Sequence, residues 1–508
     1  MQPIHGFQLF LLTVAVSFGI FMNVLDSAIA NVAIPTIAGN MAVSADEGTW
    51  VITSFTVTTA IVLPLTGWLA KRFGEVRLFV ASTALFTIAS ILCGLSTSLG
   101  MLVVFRVFQG AVAGPMIPLS LSLLLANYPD DKKGIATALW ATVAVAAPVL
   151  GPILGGYLTD EYSWPWIFYI NVPFGILSVV FTWRILSSRD TPTVKLPIDY
   201  VGLILLAVGI GSLQILLDNG QDLDWFNSNL IVILGVVSFV CISYLIVWEL
   251  TAKHPIIELT LFKGRNFAIG TIAISIGYMV FFGSVVILPL WLQTQMSYTA
   301  TWAGLATAPL GIIPLMFSFF IGRFLNLIDL RLLISIGFLI FSGCSFWLAS
   351  FDTSITAGDV ALARFVQGFG VPLFFIPLST MILSNLPKES MASASGLSNF
   401  LRILAGSLGT SLSVTLWSRR EALHQSQMVE NLPSYSDNLR NTIDALNTRG
   451  LSDSESYAAV LKNLVNQAYM LATDDVFVMA AYIFLSLVVL IWFAKPPFMS
   501  SGAKVVVE

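Results

Sequence analysis

The chain has 508 residues, of which 56% are hydrophobic and only 10% charged, and its formal net charge is −4. Soluble domains carry about 25% charged residues, so this composition excludes a soluble multidomain enzyme. The lack of a basic run excludes a nucleic-acid-binding protein. The three cysteines lie in separate apolar segments, and this spacing indicates neither a disulfide framework nor a metal site.

Apolar segments follow one another along the whole chain, and a membrane-spanning helix needs about 20 such residues. The sequence therefore predicts an all-α integral membrane protein with fourteen transmembrane helices. They are expected at 9–34, 49–69, 77–96, 100–126, 135–158, 166–186, 199–217, 229–250, 267–293, 301–322, 331–351, 357–384, 393–418 and 475–494. The first apolar run continues past the cleavage-like Ala28-Ile29-Ala30, so we do not expect a cleaved signal peptide.

The positions of the basic residues predict the orientation of the chain. Sixteen of the 24 Lys and Arg residues lie in loops or in the tail on one side, and the short loops on the other side carry only acids. Cytoplasmic loops are enriched in Lys and Arg, so we expect both termini in the cytoplasm. Five further cations lie in a long outer loop, 419–473, whose length exempts it from this rule.

An internal repeat appears at a shift of about 258 residues. Arg106-Val-Phe-Gln109-Gly110 matches Arg364-Phe-Val-Gln367-Gly368, and the loop 67–77 matches 322–331 at a slightly smaller shift. An even number of spans separates the copies, so both run in the same direction, which is the arrangement of major facilitator transporters. We expect a six-helix bundle at 1–190, two additional transmembrane helices at 191–265, and a second six-helix bundle at 266–508 that contains the long loop 419–473.

One acidic residue, Asp26, lies deep in a predicted span, and the histidines lie in tails or polar loops. A carboxylate at the centre of a membrane helix costs about 2.5–3.5 kcal/mol on insertion scales, so it needs a partner or a function. Counting at ~1.5 Å per residue places Asp26 ~12 Å and Arg106 ~8 Å below the outer face. The two side chains can meet if their helices are neighbours.

A buried aspartate beside an arginine has two interpretations. It is a proton switch if movement changes its separation from Arg106 or its access to water, and it is a static ion pair if it only fixes helix packing. The Asp26→Asn substitution separates these alternatives. A static pair would lose mainly stability, whereas a proton carrier would lose coupling and still fold.

The second half lacks a matching carboxylate, because Ser284 occupies the repeat position of Asp26. Arg364 and Arg402 then lie in spans without an acidic partner in sequence. They either form an attractive site for anionic or weakly acidic ligands or act as structural hydrogen-bond hubs. The residues that we expect to line a substrate cavity are Asn23, Gln109, Phe281, Phe282, Arg364, Gln367 and Arg402.

Two segments are candidates for conformational gating. In the fifth helix Pro148, Pro152 and Gly156 share one face, and Gly151 and Gly155 add small residues on which another helix can slide. The loop between the second and third helices supplies the other gating residues: Gly67, Lys71, Arg72, Gly74 and Arg77.

These segments resemble motifs of the EmrB-like multidrug exporters, which are drug:proton antiporters with fourteen spans in the major facilitator superfamily. The resembling segments are 25–35 with its aspartate, 106–110, 151–156, 164–173 and 494–498, and the similarity covers essentially the whole chain. In this family the first-helix aspartate is implicated in proton coupling and the fourth-helix arginine acts with it. Lys71 departs from the wider superfamily, where an aspartate is usual, and this puts the acid-to-helix latch of that loop in doubt.

The resemblance implies proton-coupled export of lipophilic toxic compounds by alternating access, from the bacterial inner membrane. It further implies a tripartite pump with a periplasmic EmrA-like adaptor and an outer-membrane TolC-like channel. Uncouplers and weak acids are among the implied substrates. The long loop 419–473 either docks the adaptor or is a solvated spacer.

Three other functions are compatible in part with these features. A proton-coupled exporter of a metabolite or siderophore keeps the same fold and is the alternative. We expect no enzyme, because no HExxH or GxSxG pattern and no histidine within a span is present, and no cofactor, because no P-loop pattern occurs and a proton gradient suffices. A receptor or channel is disfavoured by the duplication and by the unequal Asp26 and Arg106 site.

Overall fold

The computed structural model describes residues 4, 6–129, 133–191, 193, 197, 199–220, 223–252, 255–314, 316–317, 321, 328–384, 386, 391–430, 437–496 and 498. Every regular element in these residues is helical. The first half contains α1 Phe7–Asn40, α2 Ala45–Gly48, α3 Trp50–Val62, α4 Thr66–Phe73, α5 Glu75–Gly94, α6 Leu99–Ala113, α7 Met116–Asn127, α8 Lys133–Glu161, α9 Trp166–Tyr169 and α10 Asn171–Leu186.

The remaining helices divide into an additional pair and a second half. The additional pair is α11 Tyr200–Asn219 and α12 Asn229–Thr251. The second half contains α13 Arg265–Thr294, α14 Ala300–Thr307, α15 Leu330–Leu348, α16 Ala357–Gly368, α17 Gly370–Leu383, α18 Met391–Glu430, α19 Asp437–Asn447 and α20 Asp453–Ile491.

Twelve stretches of helix within the described residues are long and apolar enough to cross a membrane. Ten of these stretches each correspond to one of the fourteen expected spans. They are Phe7–Asn40, Ala45–Phe73, Glu75–Gly94, Leu99–Asn127, Trp166–Arg189, Tyr200–Asn219, Asn229–Thr251, Arg265–Thr294, Leu330–Leu348 and Ala357–Leu383. The other two, Ala394–Glu430 and Asp453–Ile491, continue well beyond the spans expected near them. The expected span at 135–158 corresponds to α8, Lys133–Glu161. The expected span at 301–322 begins with α14, Ala300–Thr307, and includes residues outside the described part of the chain.

Several spans are interrupted where the backbone cannot continue a regular helix. Pro64 lies in a 3₁₀ turn, Leu63–Leu65, between α3 and α4, and Gly114-Pro115 separates α6 from α7. Proline lacks the N–H that an α-helix needs and clashes with the preceding turn. The expected spans 49–69 and 100–126 are therefore each built from two helical pieces.

The long loop expected at 419–473 is largely helical in the described residues. α18 continues to Glu430, the short α19 follows, and α20 begins at Asp453. Ser452 and Glu455 form a reciprocal capping box that starts α20. This segment is therefore a helical extension of the bundle, which we call the distal extension.

The two halves repeat the same helix pairings. In the first half α1 packs against α8 and α10, and α5 packs against α10. In the second half α13 packs against α18 and α20, and α15 packs against α20. The internal repeat of the sequence is thus repeated in the packing.

Polar bonds between the halves lie at one end of the bundle. We call the end that carries Phe7, Arg265 and Ala494 the terminal end, and the opposite end the distal end. At the distal end Thr301 N donates to Asp160 at 2.7 Å, and Ser418 Oγ donates to Asp46 at 2.9 Å. The halves are therefore joined at the distal end in this conformation.

Candidate functional site

The centre of the first half holds a buried ion pair between Asp26 of α1 and Arg106 of α6. Arg106 Nη1 donates to Asp26 Oδ2, and both side chains are closed off from solvent. Asp26 Oδ1 accepts from Asn171 Nδ2 at 2.9 Å and from Gln109 Nε2 at 3.3 Å. The carboxylate is therefore held by one cation and two neutral amides from two other helices, α6 and α10.

Arg106 is positioned independently of the carboxylate. Its Nε donates to the Val51 carbonyl at 2.7 Å, its Nη1 also donates to Gln109 Oε1 at 2.8 Å, and its guanidinium lies 4.4 Å from the centre of the Phe55 ring. Its Nη2 is buried without a hydrogen-bond partner. Arg106 can therefore stay in place if the charge on Asp26 is removed, with one donor already unused.

Close backbone approach brings α6 onto α3 beside this pair. A Cβ on Gly110 would overlap the Phe55 carbonyl, so a side chain at this position would push the helices apart. Glycine in the Arg106-Val-Phe-Gln109-Gly110 segment thus lets Arg106 reach the Val51 carbonyl. This is the tertiary role of the glycine that ends the repeated motif.

Two members of this site were not assigned a role from the sequence. Asn171 begins α10, within the segment 164–173 that resembles the exporters, so its position in that motif was the available signal. Ser90 of α5 accepts from Gln109 Nε2 at 2.8 Å and from Asn171 Nδ2 at 3.3 Å. A serine inside an apolar span gave no sequence signal that distinguished it from the many other buried hydroxyls.

The second half contains the same constellation without its acid. Arg364 Nη1 donates to Gln367 Oε1 at 2.6 Å, and Arg364 Nη2 donates to the backbone carbonyl of Ser284 at 2.8 Å. Ser284 is the residue that the repeat aligns with Asp26. A neutral carbonyl therefore takes the place that a carboxylate occupies in the first half, and the halves differ chemically.

The residues expected to line a substrate cavity are not gathered in one open space. Asn23 Nδ2 donates to the Ala113 carbonyl at 3.0 Å, and the side chains of Asn23, Gln109, Arg364 and Gln367 are buried within their own halves. Direct contact of these four with a substrate is therefore not available in this conformation, and their role in substrate binding stays a prediction.

Arg402 and Phe282 lie differently, beside an aromatic cluster between α13, α17 and α18. The Arg402 guanidinium lies 5.2 Å from the ring centre of Tyr278 and 5.7 Å from that of Phe375. Phe282 stacks on Tyr278 with ring centres 4.4 Å apart, and Phe281 packs edge-on against Phe282. Arg402 and Phe282 are partly exposed, so the structure combines a cation and apolar rings at an accessible surface.

The glycines of α8 pack the first helix on one side and the second half on the other. A Cβ on Gly151 would lie 2.5 Å from Ala28 Cβ, and a Cβ on Gly155 would lie 2.7 Å from the Ile29 carbonyl oxygen. A Cβ on Gly156 would lie 2.5 Å from the Ala300 carbonyl oxygen of α14. Pro152 presents its carbonyl to Gly304 of α14, whereas the side chain of Pro148 lies outside the described residues.

The loop 67–77, which the sequence predicts to act in gating, is built around the end of α4 and the start of α5. Lys71 is exposed at the end of α4, Arg72 is partly buried, and Gly67 has open space where a side chain would be. Gly74 joins the two helices with φ of 90°, a left-handed conformation that favours glycine. The turn therefore requires Gly74 but not Gly67.

An acid that the sequence did not assign binds this turn. Asp190, which follows α10, accepts from the backbone N–H of Val76 at 2.9 Å and lies 3.3 Å from Arg77 Nε. Thr191 Oγ1 accepts from Glu75 N at 3.0 Å. Asp190 thus places a carboxylate on the first turn of α5, where the helix dipole favours negative charge.

Among the described residues no cluster of three or more His, Cys, Asp or Glu side chains can hold a metal ion. The polar chemistry of the buried site consists of the Asp26 carboxylate, the Arg106 guanidinium and their amide and hydroxyl partners.

The sequence is similar to those of known membrane transporters. Residues 16–410 match the family model described as Major Facilitator Superfamily. The chain is 52% identical over 502 residues to "Multidrug export protein EmrB" of Escherichia coli (strain K12), covering 99% of this chain and 98% of that protein. It is 49% identical over 500 residues to "Fatty acid resistance protein FarB" of Neisseria gonorrhoeae, covering 98% of this chain and 99% of that protein.

Solved structures share the fold at low sequence identity. A POT family peptide transporter in an auto-inhibited state superposes with a TM-score of 0.64 at 15% identity, covering 98% of both chains. A bacterial homologue of the human lysosomal transporter Spinster, in an inward-facing and unoccupied conformation, gives 0.62 at 14% identity over 97% of this chain and 100% of that one. These matches concern the fold alone.

Proposed function

The chain belongs to the major facilitator superfamily, among the EmrB multidrug export proteins, and on this premise we propose that it exports lipophilic toxic compounds in exchange for protons. It is a multi-pass protein of the bacterial inner membrane, and its relatives are transporters of a family that is not enzymatic. The observation that carries the proposal is the buried pair of Asp26 and Arg106, which occurs in one half and is replaced by a carbonyl in the other.

The proposed topology has fourteen spans with both termini in the cytoplasm. Twelve of these spans are the apolar stretches of helix described above. The thirteenth is α8, a helix of 29 residues, and the fourteenth begins with α14 and the 3₁₀ turn that follows it. The Lys and Arg residues of the short loops support a cytoplasmic position for the terminal end. The distal end, where the halves are joined, then faces the periplasm.

Proton coupling would act through the charge on Asp26. Protonation of the carboxyl would remove its ion pair with Arg106, whose guanidinium stays bound to the Val51 carbonyl and to Gln109. The change in charge then acts on α1, which also packs on α8 and contacts α13 and α14 of the other half. A proton gradient can in this way drive the movement of the halves without ATP or a cofactor.

Substrate binding is best placed at Arg402 and its aromatic neighbours. A guanidinium beside Tyr278, Phe282 and Phe375 offers a positive charge and flat apolar surfaces to one ligand. This combination suits lipophilic weak acids, including uncouplers. A relative of this chain is named for fatty acid resistance, which fits the same ligand class.

The distal extension is the proposed contact with partner proteins. It carries exposed apolar side chains outside the apolar part of the bundle, on α18 and α20: Leu423, Val429, Tyr457 and Leu461. Exposed apolar side chains of this kind favour protein contact over a solvated spacer. An EmrA-like periplasmic adaptor would bind here and connect the transporter to a TolC-like outer-membrane channel.

The test is proton release from detergent-solubilised protein on addition of a lipophilic weak acid, supplied as its salt at the pH of the assay, or of a lipophilic cation. We expect release from the wild type and none from Asp26→Asn at equal thermal stability. The matched control is Asp224→Asn. Asp224 is exposed and has a φ of 54°, a conformation that asparagine tolerates.

Equal release from the wild type and from Asp26→Asn would contradict the proposal. Asp26 would then be a structural partner of Arg106, and the proton carrier would lie elsewhere in the chain.

A further inference from the structure

The first additional helix, α11, lies in the seam between the two halves. Its Leu206 and Ile210 belong to one buried apolar cluster with Val57 of α3 in the first half and Leu404 of α18 in the second half. α12 packs on α11, and most of its side chains are not buried within the protein. Movement of the halves relative to each other would therefore change the contacts of α11.

The distal end of α11 makes polar contacts with both halves through a single carboxylate. Asp218 Oδ2 accepts from the Thr53 hydroxyl of α3 at 3.0 Å, and Asp218 Oδ1 accepts from the Ser411 hydroxyl of α18. Asp218 was expected in an outer loop, because the predicted span ends at residue 217. The structure instead includes it in the last turn of α11, facing the two halves.

Gln214, one turn earlier on α11, completes this contact. Its Nε2 donates to Asp218 Oδ1 at 2.9 Å and also to Ser411 Oγ. Ser407 Oγ donates to Gln214 Oε1 and to the Thr53 backbone carbonyl, both at 3.5 Å. Gln214, Thr53 and Ser411 are all buried, so water does not replace these bonds in this conformation.

The terminal end of α11 has a different partner. There Asp199 accepts from Trp248 Nε1 of α12 at 2.9 Å, which is a bond within the additional pair. Side-chain bonds of α11 to both halves are described only at its distal end. The same helix is thus tied across the seam at the end where the halves are closed.

We propose that Asp218 and Gln214 form a distal latch, in which the first additional helix ties α3 of the first half to α18 of the second and holds the distal end closed. Thr53 and Ser411 separate when the halves part at this end, so one carboxylate cannot bond both in the open state. The additional pair then takes part in closing the distal end. This inference rests on the alternating access of the proposed function.

The latch is tested by measuring a distance across the distal end with spin labels on Thr97→Cys and Ser350→Cys, both exposed loop or helix-end positions of opposite halves. The background carries Cys93→Ala, Cys241→Ala and Cys344→Ala, and the protein is held in lipid nanodiscs. We expect Asp218→Ala and Ser411→Ala each to raise the ratio of open to closed distances about tenfold, as charged hydrogen bonds of ordinary strength would.

The double variant is expected to open no further than either single variant, because either substitution alone already breaks the connection between Thr53 and Ser411. Asp218→Asn keeps an acceptor of the same shape and is expected to shift the ratio less than Asp218→Ala. The matched control is Asn219→Ala, whose amide bonds the Ile215 carbonyl of its own helix. We expect the wild-type ratio for this control.

Folded Asp218→Ala and Ser411→Ala proteins with the wild-type distance distribution, or with additive effects, would overturn the latch. If Asp218→Ala does not fold, Thr53→Val and Ser411→Ala remove the two ends of the latch with little change of volume. A wild type that populates two distances without any response to these variants contradicts the latch alone. A distal end that opens in no variant, substrate or pH condition contradicts alternating access as well.

Discussion

At the scale of single residues, the chemistry of the site depends on how the two oxygens of Asp26 are shared. One oxygen takes the guanidinium of Arg106, and the other takes the amides of Asn171 and Gln109. Additional hydrogen bonds to a buried ion pair help to offset the loss of hydration of its two charges. Asn171 supplies the shorter of the two amide bonds, so it fills the second oxygen of Asp26 without adding a charge of its own.

We expect Asn171→Ala to destabilise the protein by about 1–3 kcal/mol, the cost of leaving a buried acceptor poorly satisfied. The measurement is thermal unfolding in detergent, followed by the proton-release assay on the folded variant. The control is Asn40→Ala, which removes an exposed amide that bonds only the Thr36 carbonyl of its own helix. Equal unfolding of Asn171→Ala and the control would show that Asp26 does not depend on this amide.

At the scale of elements, the loop 67–77 receives its carboxylate from a distant residue, Asp190, which follows α10. Lys71 lies in the last turn of α4, where the superfamily usually has an aspartate, and the carboxylate at the start of α5 comes from Asp190 instead. A carboxylate that accepts from the free N–H groups of a first helical turn caps the helix and complements its dipole. The Arg77 side chain is 64% exposed, so its ion pair with Asp190 adds little.

We expect Asp190→Ala to cost about 0.5–2 kcal/mol, because it removes the acceptor of the Val76 N–H. Thermal unfolding at low and high salt is the measurement. A loss that persists at high salt assigns the effect to capping, and a loss confined to low salt would assign it to Arg77. Asp352→Ala is the control, since Asp352 is exposed and bonds only the nearby Ser354.

At the scale of the whole molecule, the halves meet through backbone at the distal end. Gly156 of α8 lies against the Ala300 carbonyl of α14, and Pro152 lies against Gly304. These contacts leave no room for a methyl group. Because backbone atoms make them, the contacts can form and break without a rearrangement of side chains. The polar bonds of Asp160, Asp46 and the proposed latch surround this close contact.

We expect Gly156→Ala to favour the open distal end, because the new Cβ would lie 2.5 Å from the Ala300 carbonyl oxygen. The Thr97 and Ser350 labels measure this shift directly. Gly343→Ala, at a glycine of α15 with open space around it, is the control and should leave the distance distribution unchanged. An unchanged distance distribution in Gly156→Ala would show that α8 and α14 adjust without parting.

The sequence by itself determined the class of protein, the duplication and the similar depth of Asp26 and Arg106. Long apolar segments can only be helices in lipid, because every backbone polar group must be bonded within its own segment. The repeat followed from ordered matches around Arg106 and Arg364. The helix depth of Asp26 and Arg106 placed them at similar levels, since helical rise is a local property that counting residues gives directly.

Only the tertiary structure decided which side chains meet across elements. Asn171, Asp190 and Asp218 act on residues from 114 to 193 positions away in the chain, and no local pattern encodes those pairings. The structure likewise enclosed Gln109, Arg364 and Gln367 within their halves and left Arg402 partly exposed. Periodicity records which face of a helix is apolar, but the neighbour of that face follows from the packing of the whole bundle.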